Sequence, residues 1–253
     1  MNRLINAGFH ELLKSKYFYI TMLVCAGFGA LFSVGMYLYP NFDMPENSQI
    51  FINQDNVLGI IPSFATVVVP FAASVSVAFM LDSQYNHGTI RNRLIAGHTR
   101  TETFFSNIIV MTIATVIYFA CYMAVVFFVG RVIWGYEGYK LKASLVTLSI
   151  MLVMIICNGT LLSLVIGNLM RGGKIIVAIL AIQYVLNMTM VFGMFKDNDV
   201  LAMLARIFPQ SSLFEFSYAV VIDGLEKNLF ISLALMAVLT VFGLVYFKKC
   251  DIK

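Results

Sequence analysis

Residues 104–130 read FFSNIIVMTIATVIYFACYMAVVFFVG, an unbroken stretch that contains no Asp, Glu, Lys, Arg or His. A helix that crosses the hydrocarbon core of a bilayer needs roughly 20 apolar residues, because about 30 Å is covered at about 1.5 Å per residue. The stretch is therefore long enough to cross a membrane as one helix. The sequence lacks the short segments of alternating hydrophobicity that are typical of membrane β-barrels. It thus predicts an α-helical membrane protein.

Five further stretches have a similar length and composition. They are residues 17–38, 57–81, 144–170, 175–195 and 228–247. Together with the first stretch they predict six transmembrane helices in one all-α domain that covers residues 1–253. The composition agrees with this prediction, since 60% of the residues are hydrophobic and only 12% are charged. A water-soluble domain of this length could not cover its surface with so few polar groups.

Basic and acidic residues are divided unevenly between the two sides that six spans define. The segments on the side of the N-terminus hold most of the 17 basic residues, and the other loops hold most of the 13 acidic residues. Lys and Arg near the ends of spans are in excess on the cytoplasmic side of membrane proteins. The sequence therefore predicts a multi-pass protein of the plasma membrane with both termini cytoplasmic. The net charge of +4 fits basic loops beside anionic lipid, so the expected partner is the lipid bilayer and not nucleic acid.

The N-terminal segment, residues 2–16, has an amphipathic pattern. Its sequence is NRLINAGFHELLKSK, and the apolar residues at helical spacing are Leu4, Ile5, Phe9, Leu12 and Leu13. This pattern favours an interfacial helix on the inner surface of the membrane. The alternative is a straight extension of the first span.

The last outer loop has an apolar centre, LAMLARIFPQSSLFEFSYAVV, which starts at residue 201. Pro209 would divide this segment into two short helices. The sequence therefore predicts a re-entrant extracellular segment over residues 199–222, between the fifth and sixth spans. An ionisable residue inside a membrane is a functional candidate, so Pro209 and Glu215 are candidates for an extracellular gate. Exposure of Glu215 to water at the interface is the alternative.

Polar side chains inside the spans are few. The strongest hydrogen-bonding ones are Asn158, Asn168, Gln183 and Asn187. We expect them to join helices by hydrogen bonds, with substrate contact as the alternative.

Motifs for catalysis and nucleotide binding are missing from the sequence. Residues 167–174, GNLMRGGK, differ from a phosphate-binding loop because the glycine spacing is one residue off and Ile175 replaces the required Ser or Thr. The predicted spans contain no Asp, Glu or His, which disfavours a proton relay or an intramembrane protease. We therefore expect that the chain is not an enzyme and that it has no catalytic, cofactor-binding or metal-binding residue. We expect another protein to supply the energy for its activity.

The connection between the second and third spans concentrates arginines. It reads DSQYNHGTIRNRLIAGHTRTETFFSN over residues 82–107. Thr89 as the N-cap and Gly97 as a left-handed C-terminal residue predict a short helix over residues 90–96. Such a helix would lie on the inner surface and offer Ile90, Leu94 and arginines to a partner. The alternative is that the arginines only fix the topology.

This connection resembles that of the permease subunits of ATP-binding cassette transporters of the type-2 exporter class. Their pattern is an acidic residue at the end of the second span, Gly-Thr-(Ile/Leu)-Arg, a leucine, Gly or Pro, a small hydroxyl residue and an arginine. The matching residues are Asp82, Gly88, Thr89, Ile90, Arg91, Leu94, Gly97, Thr99 and Arg100. A lysine that is common near the start of the next span is Asn107 here. The N-terminal helix, the six spans and the re-entrant segment extend the resemblance over the whole chain.

The resemblance implies a subunit that forms the translocation pathway of an ATP-driven exporter. It would pair with a second permease, expected to be a copy of itself, above two ATPase subunits that bind ATP and Mg, so this chain needs no cofactor. Residues 84–98 would be the cytoplasmic coupling helix, held in a groove of the ATPase and assisted by the N-terminal helix. The implied coupling residues are Gly88, Thr89, Ile90, Arg91, Arg93, Leu94, Gly97, Arg100, Arg171 and Lys174.

Two features of the sequence bear on the cargo, namely its composition and its family resemblance. The 22 Phe and 15 Met give an adaptable apolar surface that suits hydrophobic or amphipathic peptides, although ordinary membrane composition explains these counts more simply. Small six-span subunits of the family often export peptides or confer resistance to them, which implies a toxin or antimicrobial peptide as cargo. A passive channel, or a membrane sensor or assembly subunit without ATP-driven transport, is the alternative function.

Overall fold

The computed structural model describes residues 1–38, 64–134, 141–170, 174–192 and 225–249. The elements in these ranges are all helices. Five of the described helical segments are long and apolar enough to cross a membrane, and a shorter apolar helix covers Ile175–Val185. The prediction of an all-α protein of membrane type is confirmed. The predicted re-entrant segment, residues 199–222 with Pro209 and Glu215, lies outside the described residues.

The described helices follow the order of the predicted spans. They are α1 (Asn2–Lys14), α2 (Lys16–Leu38), α3 (Ala65–Asn86), α4 (Thr89–Ile95), α5 (Arg100–Trp134), α6 (Leu141–Ile155), a π-helical segment (Ile156–Leu161), α7 (Leu162–Met170), α8 (Ile175–Phe192) and α9 (Leu225–Lys249). The helix α6, the π-helical segment and α7 follow one another without a break and form the fourth predicted span. The helices α3 and α5 continue past the predicted ends of their spans.

The helix α3 lies at the centre of the bundle and contacts α2, α5, α6, α7, α8 and the π-helical segment. Its buried face is rich in small side chains, which let neighbouring backbones approach closely. These residues are Ala72, Ala73, Ser74, Ser76 and Ala78. The helix α9 lies at the periphery and exposes large apolar side chains, among them Phe230 and Val241. This distribution fits a bundle whose outer surface faces lipid.

The centre of the bundle contains two irregular helices that fit into each other. Pro70 interrupts the hydrogen bonding of α3, and the π-helical segment places Gly159 against it. A Cβ atom on Gly159 would lie only 2.7 Å from Pro70 Cα. Ser74 Oγ donates to the Pro70 carbonyl at 2.6 Å and accepts from Ser163 Oγ at 2.9 Å. The contact between α3 and the fourth span therefore depends on a glycine and two serines.

Polar side chains join the spans, as the sequence predicts. Tyr85 donates its hydroxyl to Asn168 Oδ1 at 2.9 Å, which links α3 to α7. Gln183 Nε2 donates to the Asn158 carbonyl at 2.7 Å, which links α8 to the π-helical segment. The expectation of hydrogen bonds between helices is confirmed for Asn168 and Gln183, whereas the side chain of Asn187 lies outside the described part of the chain.

The N-terminal segment is a separate helix. Ser15 has extended backbone angles, φ −73° and ψ 124°, between the end of α1 and the start of α2. Leu4, Gly8 and Leu12 form the buried face of α1, which packs along α5. A Cβ atom on Gly8 would lie 3.0 Å from Val110 Cγ2. The straight extension of the first span is therefore wrong, and the helix ends two residues before the predicted residue 16.

Candidate functional site

One end of the bundle brings together α1, α4, the first turn of α5 and the last turn of α9. Arg100 Nη1 donates to the Lys248 carbonyl at 2.7 Å, which places the start of α5 beside the end of α9. We call this region the basic end. The described basic residues on these elements are Arg3 and Lys14 of α1, Arg91 and Arg93 of α4, Arg100 at the start of α5, and Lys248 and Lys249 at the end of α9.

The short helix α4 is held between two glycines with left-handed backbones. Gly88 has φ 64° and Gly97 has φ 89°, a region that residues with a Cβ atom rarely adopt. The predicted left-handed conformation of Gly97 is confirmed. The prediction that Thr89 caps this helix is wrong, because Gly88 occupies the cap position and no side chain caps it. The helix is also shorter than residues 84–98, since α3 includes residues up to Asn86.

The two faces of α4 differ in exposure. Ile90 is 1% exposed and belongs to an apolar cluster with Phe104 and Phe247. On the opposite face Arg91 is exposed, and Ile95 is 73% exposed. The prediction that Ile90 faces a partner is therefore wrong, because the turn of the helix directs it into the bundle.

Leu94 is half-buried, and Asn92 is exposed beside Arg91. Arg91, Asn92 and Ile95 form the exposed outer face of α4.

Arg93 lies on the inner face of α4 and is only 9% exposed. Its Nη2 atom donates to Glu11 Oε2 of α1 at 3.2 Å, and its Nη1 atom donates to Asn107 Oδ1 of α5 at 3.2 Å. Burial lowers the pKa of the Arg93 guanidinium, and the Glu11 carboxylate opposes this shift. Because arginine starts from a pKa far above neutral, Arg93 stays charged at physiological pH. One side chain thus joins three helices.

The hydrogen bonds continue from Arg93 into α3. Asn107 Nδ2 donates to Gln84 Oε1 at 3.0 Å, and Gln84 is fully buried. We call Glu11, Arg93, Asn107 and Gln84 the buried network. It contains one residue from each of α1, α4, α5 and α3, so it connects the short helix to two spans.

The start of α5 is fixed by a reciprocal capping arrangement. The backbone N–H of Glu102 donates to Thr99 Oγ1 at 3.2 Å, and the backbone N–H of Thr99 donates to Glu102 Oε2 at 3.0 Å. This is a capping box, which satisfies two free backbone donors at the start of a helix. It defines where the connection from α4 ends and α5 begins.

The structure brings most of the sequence-predicted coupling residues to the basic end. Lys174 is exposed directly before α8, and Arg171 lies outside the described residues. The sequence did not indicate Glu11, Gln84 and Asn107 as site residues. Glu11 is the one acidic residue of the N-terminal segment, but nothing in the sequence links it to Arg93.

No protein-family model matches the chain, and no curated protein matches it significantly in sequence.

Proposed function

We propose that the chain is the membrane-spanning subunit of an ATP-driven exporter of the type-2 ATP-binding cassette class. In this proposal α4 docks on a separate ATPase subunit through Arg91, Asn92 and Ile95. The observation that carries it is the exposure of Ile95 beside Arg91 on a seven-residue helix whose other face is anchored in the bundle. Arginine is enriched at protein interfaces, and the apolar side chain of Ile95 beside it would be removed from water by a bound partner.

The supporting features extend beyond α4. The helix α1 packs against α5 and contributes Glu11 to the same end, so a partner that binds α4 also lies close to α1. Binding of ATP and Mg belongs to the partner in this proposal, and the chain works with a second copy of itself in the plasma membrane. An amphipathic peptide is the proposed cargo.

The test is copurification of the tagged chain with its native partners, identified by mass spectrometry. The double variant Arg91→Glu with Ile95→Asp should reduce a copurifying ATPase at least about tenfold, because it reverses a charge and removes an apolar contact on the docking face. Arg131→Glu with Val132→Asp is the matched control, since it makes the same changes near the other end of α5. Equal recovery of the ATPase with both double variants would contradict the docking role.

The alternative functions make a different prediction. A passive channel or a sensor subunit would purify from the membrane without an ATPase. Uptake of a labelled amphipathic peptide into inverted vesicles that contain the complex should require ATP if the exporter proposal is right. Flux that is independent of ATP would favour the channel.

A further inference from the structure

Arg93 is the one charged side chain among the buried residues of the described chain. A buried ion pair is weak evidence for stability, because removing two charges from water costs about as much as their attraction returns. Apolar residues in place of both Arg93 and Glu11 would fill the space without that cost. The arginine therefore needs an explanation beyond stability.

The glycines on either side of α4 affect how the helix is connected to the rest of the bundle. Gly88 and Gly97 flank the helix, and a Cβ atom at either position would have nothing within 4 Å. Glycine has more backbone freedom than other residues, so we expect a displacement of α4 to reach the bundle mainly through side chains on its inner face. Ile90 makes only non-directional apolar contacts there. Arg93 makes the directional ones.

The two Nη atoms of the Arg93 guanidinium bind residues of two different helices. One Nη atom binds the Glu11 carboxylate on α1, and the other binds the Asn107 amide on α5, which in turn binds Gln84 on α3. A planar group with donors on both sides can hold two partners at once, whereas a lysine acts as a single point charge. The geometry thus ties α1 and α4 to the ends of two spans.

We propose that Arg93 is a positioning residue that clasps α1 and α4 to α3 and α5, so that a displacement of α4 moves these helices together. The clasp is a property of the chain alone. The source of the displacement rests on the proposed function, in which an ATPase moves α4.

Hydrogen–deuterium exchange of the purified chain tests the clasp without any partner. Arg93→Met should raise amide exchange in α1 about tenfold, because Glu11 loses its buried partner. Arg91→Met is the matched control, since it removes an exposed arginine from the same helix, and it should leave α1 unchanged. If Arg93→Met does not fold, Arg93→Lys replaces it and should give an intermediate increase. Unchanged exchange in α1 with a folded Arg93 variant would overturn the clasp.

A charge exchange separates a specific contact from general loosening. Glu11→Arg with Arg93→Glu restores the ion pair. The Asn107 and Gln84 amides can both rotate, so that Asn107 donates to the new carboxylate and accepts from Gln84. We expect exchange in α1 to return to within about threefold of the wild-type rate. A double variant that is as loose as Arg93→Met would overturn the proposal that this pair holds α1.

The second part of the proposal is the transmission step, in which a displacement of α4 by the ATPase moves the other helices. It is tested in the complex with the ATPase. Arg93→Lys should retain the ATPase and its hydrolysis but lower the ratio of transported peptide to hydrolysed ATP about tenfold, a change that a purely structural role would not produce. An unchanged ratio would overturn the step. A wild-type chain that copurifies no ATPase would overturn the proposed function and this step with it, whereas the exchange measurement would still decide the clasp.

Discussion

At the scale of single residues, Gly159 lies directly against the backbone of a neighbouring span. A Cβ atom there would lie 2.7 Å from Pro70 Cα and 3.0 Å from the Pro70 carbonyl oxygen. These are backbone atoms of a central helix and cannot move aside as a side chain can. We expect Gly159→Ala to destabilise the protein by about 1–3 kcal/mol through overpacking, measured as a lower apparent Tm in detergent.

Gly27 provides the control for this prediction. It lies in α2, and a Cβ atom on it would have nothing within 4 Å. Because alanine favours a helix over glycine by about 1 kcal/mol, Gly27→Ala should leave the Tm unchanged or raise it. An equal loss of stability in both variants would show that the contact with Pro70 is not the cause.

The hydroxyl of Tyr118 gives a second prediction. It lies 2.7 Å from Ser76 Oγ and accepts a hydrogen bond from Thr21 Oγ1 at 3.2 Å, so it joins α5 to α3 and α2. We expect Tyr118→Phe to cost about 0.5–1.5 kcal/mol, measured by unfolding in detergent. Tyr184→Phe, which removes an exposed tyrosine hydroxyl, should change stability much less. Similar losses in the two variants would contradict a specific role of this network.

The residues of the candidate site divide into those that local pattern predicts and those that it does not. The left-handed conformation of Gly97 can be predicted from local sequence, because a glycine that directly follows a helix commonly adopts it. The burial of Arg93 does not, because which face of α4 turns inward depends on where α1 and α5 lie. Glu11 is separated from Arg93 by 82 positions, and no local rule connects them.

At the scale of the elements, the start of α5 depends on its capping box. Thr99→Ala removes the side chain that accepts a hydrogen bond from the Glu102 backbone. We expect a cost of about 1 kcal/mol and faster hydrogen exchange in the first turn of α5. Thr101→Ala, two residues later, serves as the control. Equal exchange in the two variants would contradict the capping role.

The lengths of the apolar stretches predict the membrane-spanning helices, but they do not predict the irregular segment. The π-helical segment Ile156–Leu161 lies inside a predicted span that is mostly apolar and contains no charged residue. Its one sequence cue is the run Asn158, Gly159 and Thr160, three poor helix formers. The deviation becomes understandable only beside Pro70, because the fourth span needs a glycine at that point to approach α3.

At the scale of the whole molecule, the arrangement of the spans cannot be read from the sequence. All of the predicted spans are similarly apolar, yet α3 lies inside the bundle and α9 lies at its edge. Small residues mark α3 and large apolar residues mark α9, but this difference alone does not define the neighbours of each helix. The charge pattern is more informative, because it predicts the gathering of basic residues that the structure places at one end.

The topology of the whole chain gives the last prediction. Because α1, α4 and the end of α9 meet at the basic end, residues there should face one compartment, and the positive-inside rule predicts that this compartment is the cytoplasm. After the native cysteines are replaced by serine, Asn92→Cys and Lys249→Cys should react with a membrane-impermeant maleimide in inverted vesicles but not in intact cells. Arg131→Cys, at the other end of α5, should react in intact cells. Labelling of positions 92 and 131 from the same side would contradict a membrane-spanning α5, and reversed labelling of all three would contradict only the orientation.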